Sequence, residues 1–200
     1  MPEISWDDFD TEAEAVTEED VKEIEEGPRG GFVGRAICVC IGSTPKQIEF
    51  RHAGYSCIGT TLKFEIEKVL EIGVKQFPAP PKSDTDYVMV FETATPSMSE
   101  PWEGETITDD VAFSNEKEKP AMGKRRKMVA LKLGLIKPGE QILKSMWRDD
   151  IIGKRVIITT EENRYEKDGV TKIGRPQVDF FNGYESVESG NETADRFDDI

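Results

Sequence analysis

Lys124, Arg125, Arg126 and Lys127 form the densest run of cations in the chain, with Lys117 and Lys119 before it and Lys132, Lys137 and Lys144 after it. Several cations close together can neutralise a polyphosphate backbone, because each phosphate contact releases condensed counterions. A run of this kind is equally compatible with a solvated helix face. A second basic set, Lys154, Arg155, Arg164, Lys167, Lys172 and Arg175, flanks the turn signal Asp168-Gly169, with Tyr165 interleaved and Phe180 and Phe181 following. Cations that track phosphates and aromatics that stack on bases are the chemistry of single-stranded nucleic-acid contact. Glu161, Glu162, Glu166 and Asp168 share that stretch, and Phe180 and Phe181 suit a core better than a platform. Gln47 to Tyr55 adds Arg51, His52 and Tyr55 in a polar excursion, either a loop over a groove or a hairpin packed on the body. Trp102 stands alone in a polar segment and is a third stacking candidate beside Tyr55 and Tyr165.

Other chemistries find less support. Cys38-x-Cys40 with His52 and Cys57 could complete a tetrahedral zinc site. On a strand, however, that spacing puts both thiols on one face, where free Cys is usually buried. Glu162, Glu166, Asp168 and Asp179 could serve a metal-dependent nuclease or form a solvated hairpin face. The sequence has no phosphate-binding Gly-Lys-Ser/Thr loop, no His-Glu-x-x-His and no Gly-x-Ser-x-Gly. With one His in the chain, the expectation is a binding protein without catalysis, cofactor or metal.

The net charge of −14 argues against nucleic acid until it is located. Residues 1–27 hold twelve acids and one base, and residues 185–200 hold six acids and one base, which leaves residues 28–184 at +2. The organisation is an acidic arm (1–27), a slightly basic body (28–184) and an acidic tail (185–200) too poor in apolar groups to order itself. The arms could also be plain solubilising tails. No apolar run is long enough for a membrane span, and the N-terminus has no leader pattern, so a cytoplasmic protein with free thiols is expected.

The elements that must position these residues follow from periodicity. Gly31 to Ile41 is a strand, and Thr61 to Leu70 alternates Leu62, Phe64, Ile66 and Leu70 against Lys63, Glu65 and Glu67. Tyr87 to Phe91 reads as a strand buried on both faces, and residues 93–119 as a long loop with a short strand near Ile107. Lys124 to Ile136 and Glu140 to Arg148 have helical spacing, with Trp147 in the core. Lys154 to Glu162 and Val170 to Phe181 form a hairpin whose return strand Pro176 confines to an edge or bulge. Three strands, a helical segment and two strands is the element order of a mainly β, OB-fold-like five-stranded barrel with the helix between strands 3 and 4. A small α+β sheet domain is the competing architecture.

Several segments carry a family resemblance. Ile4 to Asp10, Gly59 to Ile66, Lys127 to Ile136 and Ile152 to Val156 resemble phage-encoded OB-fold single-stranded DNA-binding proteins of replication and recombination clusters. The tip Asp195-Arg196-Phe197-Asp198-Asp199-Ile200 resembles the acidic, aromatic-bearing C-terminus with which such proteins recruit partners. The resemblance implies single-stranded DNA as ligand, and the cations and aromatics singled out above supply the candidate contacts: Lys124, Arg125, Arg126, Lys127, Arg51, Tyr55, Trp102, Arg155, Arg164, Tyr165, Lys167, Lys172 and Arg175. It implies replication or recombination proteins as partners, bound by Phe197, Asp198, Asp199 and Ile200, in a bacterial or phage-infected cytoplasm. An acidic inhibitor module without nucleic-acid affinity is the alternative, and homo-oligomerisation stays open.

Overall fold

Leu62, Phe64 and Ile66 are buried while Lys63, Glu65 and Glu67 face solvent, the alternation that makes β2 (Tyr55–Gln76) half-buried. Past Ile66 the inward position moves to Val69 rather than the expected Leu70. The cause lies in the ladder to β1 (Gly34–Phe50), where Cys38 faces Ile66 but Ile37 faces Lys68, skipping Glu67. Such a bulge exchanges the faces of everything beyond it. A computed structural model describes residues 31–50, 55–80, 83–113 and 120–187. Contacts divide the chain between Gly31 and Phe32. The acidic arm, Arg51, His52, Lys117, Lys119, the side chains of Tyr55 and Lys144, and the tip Phe197 to Ile200 lie outside what is described.

The chain continues through β3 (Val88–Thr93), α1 (Pro96–Ser99), β4 (Thr106–Ala112), α2 (Pro120–Lys132), a 3₁₀ turn (Lys144–Trp147), β5 (Arg155–Glu161), β6 (Arg164–Lys167), β7 (Val170–Ile173), β8 (Gln177–Val178) and β9 (Tyr184–Glu185). The fold is mainly β, as expected. One antiparallel sheet runs β3-β2-β1-β5-β8, with β4 on β2 and β9 on β5, while β6 and β7 form a separate hairpin. Polar residues 42–50 and 55–59 belong to the long β1–β2 ladder, whose pairing reaches Phe50 and Tyr55. Inward side chains of β1 (Ala36, Cys38, Cys40), β2, β4 (Ile107, Val111) and β5 (Val156, Ile158) meet Val129 and Ala130 of α2 together with Leu133 just past its end, Trp147 and Ile151. α2 ends short of the expected Ile136 because Gly134, at φ +65°, closes a Schellman motif: the Leu135 N–H donates to the Ala130 carbonyl and the Gly134 N–H to that of Leu131.

Three expectations need correction. Of the helix expected over Glu140 to Arg148, only the 3₁₀ turn Lys144–Trp147 forms. β3 is an edge strand with Val88 and Phe91 exposed, not a strand buried on both faces. The sheet is also not a closed five-stranded barrel: among the described residues no ladder joins β4 to β8 or β9. The last two strands are only two residues long each. An Asx turn separates them, in which the Asp179 carboxylate accepts from the N–H groups of Phe181 and Asn182. Side chains span the gap instead. Asp109 Oδ2 on β4 accepts from Tyr184 Oη at 2.6 Å and from Arg125 Nη2 at 2.6 Å. Arg125 Nη1 donates to the carbonyls of Asp179 and Phe180.

Cys38 and Cys40 are fully buried, and burial pushes the Cys38 thiol up to about 12 and raises that of Cys40. The thiolate is the nucleophile, so neither should react in the native protein. Alkylation at pH 8 is expected to label Cys57 alone before unfolding and all three cysteines in denaturant. Rapid native labelling of two or more thiols, read by mass, would contradict this packing.

Candidate nucleic-acid interface

The β6–β7 hairpin turns at Asp168 (φ +56°) and Gly169 (φ +74°), the pair of positive φ values that a type I′ turn requires. Its register pairs Arg164 with Ile173, Tyr165 with Lys172, Glu166 with Thr171 and Lys167 with Val170. Opposed residues share a face and successive residues alternate. One face therefore carries Tyr165, Lys167, Val170 and Lys172, with no carboxylate. The other carries Arg164, Glu166, Thr171 and Ile173. The acids that obscured this stretch as plain sequence are sorted away from the cations by the pleat.

The second face anchors the hairpin to the sheet. Arg164 Nε donates to Glu162 at 2.7 Å, its Nη1 donates to the Thr85 carbonyl at 3.1 Å, and its guanidinium lies 4.1 Å from the Tyr87 ring centroid. Tyr87 Oη donates to Glu162 as well, and Lys75 Nζ lies 4.6 Å from the same ring. Burial, then the bond to Glu162, pushes the Tyr87 hydroxyl up and keeps it a donor. Arg164 is thus a positioning residue, not a free phosphate contact. Tyr165 is 46% exposed, and a Cβ at Gly174 would come within 3.3 Å of its ring. Gly174, an interruption in the sequence pattern, is what lets that ring lie against the backbone. Arg175 is exposed just beyond β7.

The Lys124–Lys127 run does not act as one surface, because successive helix residues rotate about 100°. Lys124 and Lys127 are exposed, Arg126 is half-buried, and Arg125 points inward. Arg125 is 6% exposed and belongs to the Asp109–Tyr184 clasp, which corrects its expected role at phosphate. Arg126 Nη1 donates to the Phe113 carbonyl at 3.0 Å. A groove of about 560 Å³ runs along the helix, with Arg126, Lys127 and Lys137 among its walls and Leu131, Ile136 and Ile142 supplying apolar surface.

Two other expected contacts are engaged elsewhere. Trp102 is half-buried against the core, edge-on to Phe32 with centroids 5.6 Å apart, so it wedges the fold rather than offering a platform. Arg155 pairs with Glu67 across the outer sheet face. Among the described residues no three His, Cys, Asp or Glu side chains gather as metal donors, and no helix is long and apolar enough to cross a membrane. Sequence reasoning missed Asp109, Tyr184 and Tyr87, and it offered Glu162 as a metal ligand or solvated acid where the structure has it accepting from Tyr87 and Arg164. Only Asp109 left a signal, an acid at the inward position between Ile107 and Val111. No protein-family model matches the chain, and no curated protein matches it.

Proposed function

We propose that this chain binds single-stranded DNA with little sequence preference, and that the Tyr165, Lys167, Val170 and Lys172 face of the β6–β7 hairpin makes the central contact. The observation that carries this reading is the sorting of charge on the hairpin, which leaves a cation–aromatic face free of acids. The hairpin lies between β5 and β8 in the chain and its strands pair only with each other among the described residues, so both of its outer edges stay clear of the main sheet's ladders. Lys127 and Lys137 on the helix groove supply a second phosphate-binding patch. The acidic tip at Phe197 to Ile200 recruits replication or recombination proteins, a role that rests on its sequence. No catalytic step is part of this reading.

Fluorescence anisotropy of a labelled oligo(dT) tests it. Binding is expected at low salt, with log K falling linearly against log salt by roughly 0.7 per phosphate contact. A duplex of equal length should bind more weakly, because its bases are not open to stacking by Tyr165. Absence of binding at low salt would overturn the proposal and favour an acidic interaction module.

A further inference from the structure

We propose that β3 pairs edge to edge with β3 of a second copy of this chain, joining two sheets across a two-fold axis at Val90. This is independent of the nucleic-acid reading. β3 ends the sheet order, and one of its edges pairs with β2 in unbroken register from Glu71–Thr93 to Gln76–Val88. Its other edge carries no ladder among the described residues. Natural edge strands are blunted by Lys, Pro, bulges or extreme shortness. Val88-Met89-Val90-Phe91-Glu92-Thr93 has none of these, and its only charge is Glu92. Val88 is 63% exposed and Phe91 43%, with Phe77 exposed beyond the end of β2.

A row of unpaired backbone donors and acceptors is completed by another extended backbone. The side chains favour the strand's own copy. Antiparallel self-pairing about Val90 sets Met89 opposite Phe91 on one face and Val88 opposite Glu92 on the other. Each apolar side chain meets a partner, the sulfur–aromatic contact is favourable, and the single charge never opposes itself. The same patch serves both copies, as a two-fold interface requires. A strand of this length buries less than a standard interface, so the dimer should be weak and concentration-dependent.

Sedimentation equilibrium tests the proposal. The apparent mass should climb from 22.5 kDa toward twice that value as concentration rises from ~1 to ~200 μM, the range of a small interface. The double variant Val90→Lys/Phe91→Lys, which sets a lysine at position 90 against its own copy across the axis, should stay monomeric with an unchanged far-UV spectrum. In a Cys57→Ser background, Val90→Cys should oxidise to a covalent dimer, because residues on the axis fall within disulfide reach, and Glu92→Cys should not. A monomer at every concentration, a dimer indifferent to the two lysines, or cross-linking through position 92 rather than 90 would each overturn it.

Discussion

Replacing Arg125 with Met is expected to destabilise the fold by about 3–5 kcal/mol, because it strands a buried carboxylate. For a chain of this size that lowers Tm by roughly 6–20 °C. The Asp109 and Arg125 side chains are 11% and 5% exposed. Burial raises the Asp109 carboxyl above the usual aspartate range, while Arg125 and Tyr184 pull it back, and burial raises the Tyr184 hydroxyl well above its ordinary value. Where no backbone ladder joins β4 to β9, these three side chains hold the seam. Tyr184→Phe, which removes one neutral donor, should cost only about 1–3 kcal/mol. Adding Asp109→Asn to Arg125→Met should recover part of the loss, because no uncompensated charge remains buried. The pH dependence has a definite sign. A carboxyl whose folded pKa is raised favours the folded state most below its unfolded pKa and loses that contribution as pH rises through the folded value. The Arg125→Met deficit should therefore shrink on acidification from pH 8 toward 5. Urea melts at both pH values measure it, and a deficit that stays constant or grows would remove Asp109 from the explanation.

Tyr165→Ala is expected to weaken oligo(dT) binding by roughly 5- to 150-fold, the equivalent of losing a stacking contact worth about 1–3 kcal/mol. Lys167→Ala and Lys172→Ala should each flatten the log K against log salt slope by about 0.7 while costing sequence-independent affinity. Every residue of β6 and β7 is exposed. These variants should therefore keep wild-type stability within about 0.5 kcal/mol, so lost binding is not lost folding. Glu166→Ala and Thr171→Ala, on the opposite face, are the matched controls and should leave affinity near wild type. Equal losses from both faces would mean that the hairpin contributes only its bulk charge.

Much of the sheet was legible because its signals are local. The alternation at Leu62, Phe64 and Ile66, the Asp168-Gly169 turn and the Lys154–Glu162 strand each depend on neighbours in the chain. The burial of Val69 in place of Leu70 depends on a bulge set by β1, which no short window reveals. β3 was misread because an apolar run looks the same in a covered strand and at an uncovered edge. The basic run at 124–127 misled for the opposite reason. Its composition is local, but which cation turns inward depends on Asp109, sixteen residues away in sequence and touching in space. The hairpin face needed register. Four bases and two acids between Arg164 and Arg175 read as mixed charge until pairing assigns them to sides.

Ultraviolet cross-linking of the 200-residue chain to oligo(dT), followed by peptide mapping, reports both whether DNA is bound and where. The dominant cross-linked peptide should contain Tyr165, the yield should fall steeply with added salt, and Tyr165→Phe should retain the adduct site while Tyr165→Ala loses it. Cross-links confined to other segments, or none above the level of an unrelated acidic protein, would contradict single-stranded DNA binding through the Tyr165 face.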